Sequence, residues 1–341
     1  MNKNNQRKGA YINTLTKKGK VTLIYISFVV ICLFSSSIYA QQNSNSKINL
    51  TNHHQSTSQD AQWYFIAPVD NLKYRKFFNI INQQFSKHKI NFLTTIDIQN
   101  CTFPVKKIKL ITAGISPLKQ LKKCKVTVPV FAFYLTEYQY QQLNIEQSHS
   151  LSQANIFFAD QPLINQVALS TQLLPEKNEI GLMYTKSLKQ QVFNLEKILP
   201  KNFTLHKREI DVHKKFILKF VSLIKSSNFL IAPFDGKLYN SINAKIILMT
   251  SYRHEKPIIG NSKGFVRAGI VASCYSTPEI LLKQLVDTLK KHPEIRSQKY
   301  YANDFEIILN SEVAHSFNMD IISTRNLKER VINQLNKWEQ Q

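Results

Sequence analysis

The chain has 341 residues, with 45 Lys+Arg against 22 Asp+Glu, a formal net charge of +23, 43% hydrophobic residues and 11% aromatic ones. That length is a prior of about two domains, and the apolar fraction is that of a packed globular protein, which excludes a disordered tail or a coiled coil. Eight Gly and 11 Pro also exclude collagen, low-complexity repeats and a phosphate-cradling loop of clustered glycines.

Six basic residues (Lys3, Arg7, Lys8, Lys17, Lys18, Lys20) fall in the first forty positions, which hold no Asp or Glu. They precede the apolar run VTLIYISFVVICLF (21–34) and then SSSIYA, ending at Ala40. A basic segment, a short apolar core and a small exit residue predict a secretory signal peptide over 1–40, cut after Ala40, and hence a periplasmic protein. The run is shorter than the roughly 20 residues a membrane span needs, although an uncleaved anchor is the alternative because Ile38 is a tolerable rather than ideal residue before the cut. Cys32 follows Val-Val-Ile, not small residues, so a lipid-modified N-terminal cysteine is not supported. Residues 41–62 are polar without apolar period and read as a flexible leader; His53-His54 within it has no acidic or Cys neighbours suited to a metal site.

From Trp63 onward, strand-like and helix-like segments alternate. WYFIAPV (63–69) reads as a buried strand and NLKYRKFFNIINQQFSKH (71–88) as an amphipathic helix. INFLTTID and KIKLITAG follow as strands, joined by only about nine residues, too few for a full crossover helix. SPLKQLKKC is a short helix, TVPVFAFYLT and ANIFFAD are strands, and PLINQVALSTQLLP a helix. Strand EIGLMYT, helix KSLKQQVFNLEKILP, strand FTLHKREI, helix DVHKKFILKFVSLIKSS and strand FLIAPFD continue the series. LYNSINAKIILMTSYRHE, KPIIGNS, GIVASCYS, the helix PEILLKQLVDTLKKH and FEIILN complete it. The alternation predicts an α/β fold of mostly parallel sheets with helices on both faces, and about ten strands fit two lobes better than one sheet.

The order of segments resembles the bacterial ABC transporter substrate-binding protein family of the amino-acid-binding type. Its pieces are KIKLITAGISPLKQL with VTVPVFAFYLTEYQYQQL, then IFFADQPLINQVALSTQLLPEKNEIGLMYTKS, then LIAPFDGKLYNSINAKI, then KPIIGNSKGFVRAGIVASCYSTPEILLKQ, and last FEIILNSEVAHSFNMDI. The resemblance spans residues 63–331 and implies a two-lobed periplasmic-binding-protein-like architecture that captures an amino acid or similar small molecule for an ABC permease. It implies lobes of 63–158 plus about 272–297 and of 159–271 plus about 298–341. The alternative partner is a membrane sensor, reached by the same clamp acting as an adaptor; a monomer is expected.

Parallel sheets bind ligands outside the carboxyl ends of their strands. The candidate ligand-binding residues at such ends are Gly114, Ser116, Thr136 and Glu137 in the first lobe, and Asp160, Tyr184, Thr185, Phe234, Asp235 and Asn261 in the second. Gly114 permits a sharp turn, and Ser116 is expected to cap a helix starting at Pro117. A carboxylate can hold a ligand ammonium and an aromatic ring can cover its apolar part, while the competing reading of Asp160 and Asp235 is helix capping. Where the family carries Thr-Asp-Pro and Gly-Val-Ser-Asp, this chain has Thr136-Glu137-Tyr138 and Phe157-Phe158-Ala159-Asp160, so the fold expectation is firmer than the ligand expectation.

No nucleophile elbow or clustered histidines mark a catalytic site, so an enzyme is not expected, nor is a cofactor. Cys101 and Cys124 flank the third strand and its helix, and a disulfide between them is expected with Cys274 as a buried free thiol; three free thiols are the alternative. Without its first forty residues the chain keeps 39 Lys+Arg against 22 Asp+Glu, a charge of +17. Those cations alternate along helices without a basic-aromatic motif, which favours anionic envelope surfaces or an acidic partner over nucleic acid.

Overall fold

A computed structural model describes residues 61–103, 107–145, 149–211, 216–292, 297–320 and 323–340. The expected signal peptide and nearly all of the expected leader lie outside them. Residues 59–341 form one compact unit. Among the described residues no helix is long and apolar enough to cross a membrane.

The unit holds two six-stranded sheets. The first contains β1 (Gln62–Ala67), β2 (Ile90–Thr94), β3 (Ile108–Ala113), β4 (Val130–Leu135), β5 (Ala154–Phe158) and β11 (Lys299–Tyr301), in the order β11-β5-β4-β3-β1-β2, with every neighbouring pair parallel. The second contains β6 (Glu179–Tyr184), β7 (Thr204–Glu209), β8 (Phe229–Ala232), β9 (Ile258–Gly260), β10 (Ala272–Tyr275) and β12 (Glu306–Leu309), in the order β12-β10-β9-β8-β6-β7. Only β12 runs antiparallel, against β10.

Strands β1, β4 and β5 are almost wholly buried. That is the pattern of a sheet covered on both faces, and it explains why they read as unbroken apolar runs. One face of the first sheet packs Ile66, Leu110 and Ala132 against α2 (Ile115–Lys123). The other packs Phe65, Ile111 and Phe133 against Phe77 and Ile81 of α1 (Leu72–Gln84) and against α9 (Pro278–Lys291), whose Leu281, Leu285 and Leu289 recur every fourth residue on one stripe. β1 lies between β2 and β3, and a turn around Asp97, whose Oδ2 accepts from the Thr94 N–H at 2.7 Å, opens the connection from β2 to β3, whose described residues hold no helix.

The second lobe repeats the plan with α4 (Leu163–Leu173), α5 (Lys189–Ile198), α6 (Ile217–Lys225), α7 (Ser241–Arg253) and α8 (Lys263–Ala268). α10 (Ser311–Ser316) and α11 (Thr324–Glu339) complete it, with Leu327 and Val331 of α11 buried beside Ala168 and Leu169 of α4. A short helix, α3 (Glu137–Gln142), follows β4.

The chain crosses between sheets after β5, after β10 and after β11. The second and third crossings fall slightly later than the expected 272 and 298. β10 pairs with both β9 and β12, which fixes it in the second sheet, and β11 pairs with β5, which fixes it in the first. Gln161 ties the crossings together: its buried amide donates to Ser276 Oγ at 2.7 Å and to the Asp304 carbonyl at 3.1 Å, while its oxygen accepts from Asn165 at 2.8 Å. Cys101 and Cys124 are joined by a disulfide, and Cys274 is a buried thiol.

Candidate functional site

A cavity of about 340 Å³ opens where the carboxyl ends of β4, β5, β8, β9 and β10 meet. That is where parallel sheets leave loop backbone and helix starts unpaired. The first lobe contributes Tyr134, Thr136 and Gln139; the first crossing contributes Ala159 and Asp160. The second lobe and second crossing contribute Phe234, Asn261, Ser262, Lys263, Tyr275 and Ser276.

Local sequence explains the placement of Tyr134, Thr136, Gln139 and Ser262. The β4–β5 register slips between Phe133 and Leu135, and Tyr134 between them has φ +63°, a bulge that interrupts the alternation of β4. The Lys73 ammonium lies 4.0 Å from the Tyr134 ring centroid and donates to its hydroxyl at 2.8 Å. Thr136 and Gln139 form a reciprocal capping box at the start of α3, with the Thr136 hydroxyl accepting from the Gln139 N–H at 3.1 Å and the Gln139 amide oxygen accepting from the Thr136 N–H at 3.0 Å. On the opposite lobe the Ser262 hydroxyl caps α8 by accepting from the Phe265 N–H at 3.2 Å.

Two residues lining this cavity carry a buried oxygen without a partner. Asp160 is 2% exposed, and its Oδ1 accepts the Glu137 N–H at 2.9 Å, but its Oδ2 makes no hydrogen bond of good geometry, the Gln191 side chain acting on the carboxylate only as a weak neighbouring dipole. Asn261 is 4% exposed, and its Oδ1 also makes none. A buried acceptor without a donor costs about 1–3 kcal/mol, so both are suited to a donor brought by a ligand. Burial, and then the nearby Glu137 charge, push the Asp160 carboxyl up to about 7, against smaller downward pulls from the Glu137 and Asp160 N–H groups and the Gln191 amide. Glu137 itself is 6% exposed and accepts a hydrogen bond from the Tyr301 hydroxyl, whose own ionisation is pushed far up by burial and then by Glu137.

Of the ten sequence candidates, the structure brings Thr136, Asp160, Phe234 and Asn261 into this one cavity. The other six lie elsewhere. Gly114, at φ +84°, occupies the cap position of α2 itself, so the helix starts at Ile115 and not at Pro117, and Ser116 is an exposed residue within its first turn. Glu137 is committed to Tyr301. Tyr184 is packed among Leu182, Leu188 and Val192 in the second lobe. Asp235 organises its own loop, accepting from the N–H groups of Thr185 at 2.7 Å, Lys237 at 3.2 Å and Leu238 at 3.3 Å. Thr185 lines a separate depression of about 430 Å³ with Lys186, Glu209 and Lys237.

Tyr134, Gln139, Ser262, Lys263, Tyr275 and Ser276 line the cavity without a clear signal in the sequence. Tyr134 and Tyr275 sit inside strand-like runs where an aromatic residue reads as core, and only the bulge, or the end of the strand, sets them apart. Among the described residues no group of three or more His, Cys, Asp or Glu is placed to hold a metal ion.

No protein-family model matches the chain. No curated protein sequence matches it either. Solved structures do. A ligand-free, open substrate-binding protein with adhesive properties from Clostridium difficile superposes with a TM-score of 0.57 at 15% identity, over 78% of this chain and 98% of that one. An ABC domain in complex with L-Trp from Streptococcus pneumoniae gives a TM-score of 0.49 at 14% identity, over 79% of this chain and 98% of that one. A conserved domain protein from Vibrio cholerae gives 0.49 at 13% identity, with the same coverage. The first of these likenesses establishes the architecture: the chain has the two-lobed α/β fold of a substrate-binding protein.

Proposed function

We propose that this protein is an extracytoplasmic solute-binding protein that takes an amino acid, or a similar small amine, into the interlobe cavity and presents it to an ABC permease. The observation that carries the reading is that Asp160 and Asn261, two residues lining one cavity between the lobes, each keep a buried side-chain oxygen without a partner, Oδ2 and Oδ1. Two acceptors without donors favour a ligand rich in N–H groups, and an ammonium would restore the charge that burial of Asp160 disfavours. Tyr134, Phe234 and Tyr275 supply aromatic walls for an apolar side chain or a cation, and Lys263 supplies a positive charge for a carboxylate. The volume suits one small molecule. Short crossings between the lobes fit a hinge that closes over ligand, the form a membrane partner would recognise.

Thermal-shift measurements on the chain from Gln41 onward test this, because a ligand that binds only the native form raises the melting temperature. Amino acids and other primary amines should raise it, and neutral sugars should not. A rise with sugars alone would contradict the amine reading, and no rise with any small molecule at millimolar concentration would contradict solute binding.

A further inference from the structure

On the second lobe, away from the interlobe cavity, α7 carries Ile242, Ile246 and Met249 at 77%, 43% and 45% exposure. Their spacing of four and then three residues puts them in one stripe along the helix. The opposite side of α7 packs Ile247 into the core beside Phe220 and Leu223 of α6, so the exposed stripe is surplus to the fold. α6 adds Leu218 at 73% exposure. Of the eleven large hydrophobic side chains exposed among the described residues, five lie between positions 218 and 252, which concentrates them on this pair of helices.

The charged residues on these two helices have one sign, and the nearest exposed acid along the chain, Glu255, lies past the C-terminal end of α7. Lys219, Lys225, Lys245 and Arg253 are exposed on the same two helices. Between positions 216 and 254 the sole acidic residue is Asp235, 1% exposed and occupied by backbone N–H groups.

We infer that the outward face of α6 and α7 docks on an anionic phospholipid surface. Apolar side chains flanked by Lys and Arg are the composition of helices that lie in a membrane interface, with side chains reaching the acyl boundary and cations meeting headgroup phosphates. A second copy of the chain fits less well, because a twofold contact through this stripe brings Lys245 and Arg253 against the same cations of the partner. The surplus charge of the region beyond residue 40 acts in the same direction. Docking by this face leaves the cavity lining untouched, and the inference does not depend on what the cavity holds.

Vesicle co-sedimentation tests it. The chain from Gln41 onward retains the whole compact unit, which begins at Gln59, and lacks the apolar run at 21–34 that would bind lipid by itself. Vesicles of phosphatidylcholine with about one-third phosphatidylglycerol should bind it, pure phosphatidylcholine should bind it at least tenfold less, and about 0.5 M salt should release most of it. The variant Ile242→Gln/Ile246→Gln/Met249→Gln should lose on the order of tenfold in partitioning, and Lys245→Glu/Arg253→Glu a comparable factor. Phe193→Gln, at an exposed position on α5, should partition as the parent does. Melting temperatures within a few degrees of the parent establish that the variants are folded. Partitioning equal on both vesicle types, partitioning unchanged by both multiple variants, or self-association that disappears in the triple variant while lipid binding stays would each overturn the inference.

Discussion

Asp160 offers the sharpest test of the site's electrostatics. Its carboxyl is held near 7 in the folded protein, against an ordinary value of 3.8. Because the folded state holds the proton more tightly than the unfolded chain, stability falls as pH rises from about 4 to about 7 and is flat above that. The gap of about three pH units corresponds to about 4 kcal/mol of stability given up by pH 8, at about 1.4 kcal/mol per unit. Asp160→Asn keeps the shape and the acceptor for the Glu137 N–H while removing the charge. The variant should match the wild type near pH 4 and exceed it by about 2–4 kcal/mol near pH 8, the difference opening steadily between. Urea unfolding followed by tryptophan fluorescence reads this directly, since Trp63 lies in the first lobe and Trp338 in the second. A difference independent of pH, or a variant less stable than wild type near pH 8, would refute the assignment of a destabilising buried carboxylate. The same substitution should abolish ligand binding, so that stability gained and affinity lost in one variant mark a residue kept for its ligand.

Other consequences are equally accessible. Tyr301→Phe removes the hydroxyl that donates to the buried Glu137 and should cost about 1–3 kcal/mol in urea unfolding near neutral pH. Gln161→Ala deletes the amide that ties Ser276, Asp304 and Asn165 together at the crossings and should lower stability by on the order of 2 kcal/mol. Reduction of the Cys101–Cys124 bond, which closes a span of 23 residues, should cost about 3 kcal/mol. Thiol titration of the unreduced, denatured chain from Gln41 should find one reactive group, Cys274, inert until the protein unfolds.

The fold was largely legible because its signals are local. Buried parallel strands such as WYFIA and VFAFYL read as apolar runs, and α9 announces itself through Thr277-Pro278 and a leucine stripe. The three-residue strand β11 carries no period to read, and the six-residue helices α3, α8 and α10 are shorter than any periodic window. The site was half legible for a different reason. A polar residue at a strand end is visible in sequence, but whether it faces the cleft or its own loop depends on which N–H groups lie nearby. Asp235 and Asp160 look alike as strand-end aspartates; the first has three backbone donors, while the second has one oxygen left over. Ser116 failed because Gly114, with its positive φ, takes the cap two residues earlier.

The central claim, a small amine held between the lobes, is tested most directly by calorimetric titration of the strongest thermal-shift ligand into three proteins: wild type, Asn261→Ala and Thr185→Ala. Asn261 lines the cavity and Thr185 lines the separate depression. The account predicts one site per chain in the wild type, affinity weakened at least tenfold by Asn261→Ala, and affinity unchanged by Thr185→Ala. Full affinity in Asn261→Ala together with loss in Thr185→Ala would place the ligand outside the interlobe cavity and contradict it.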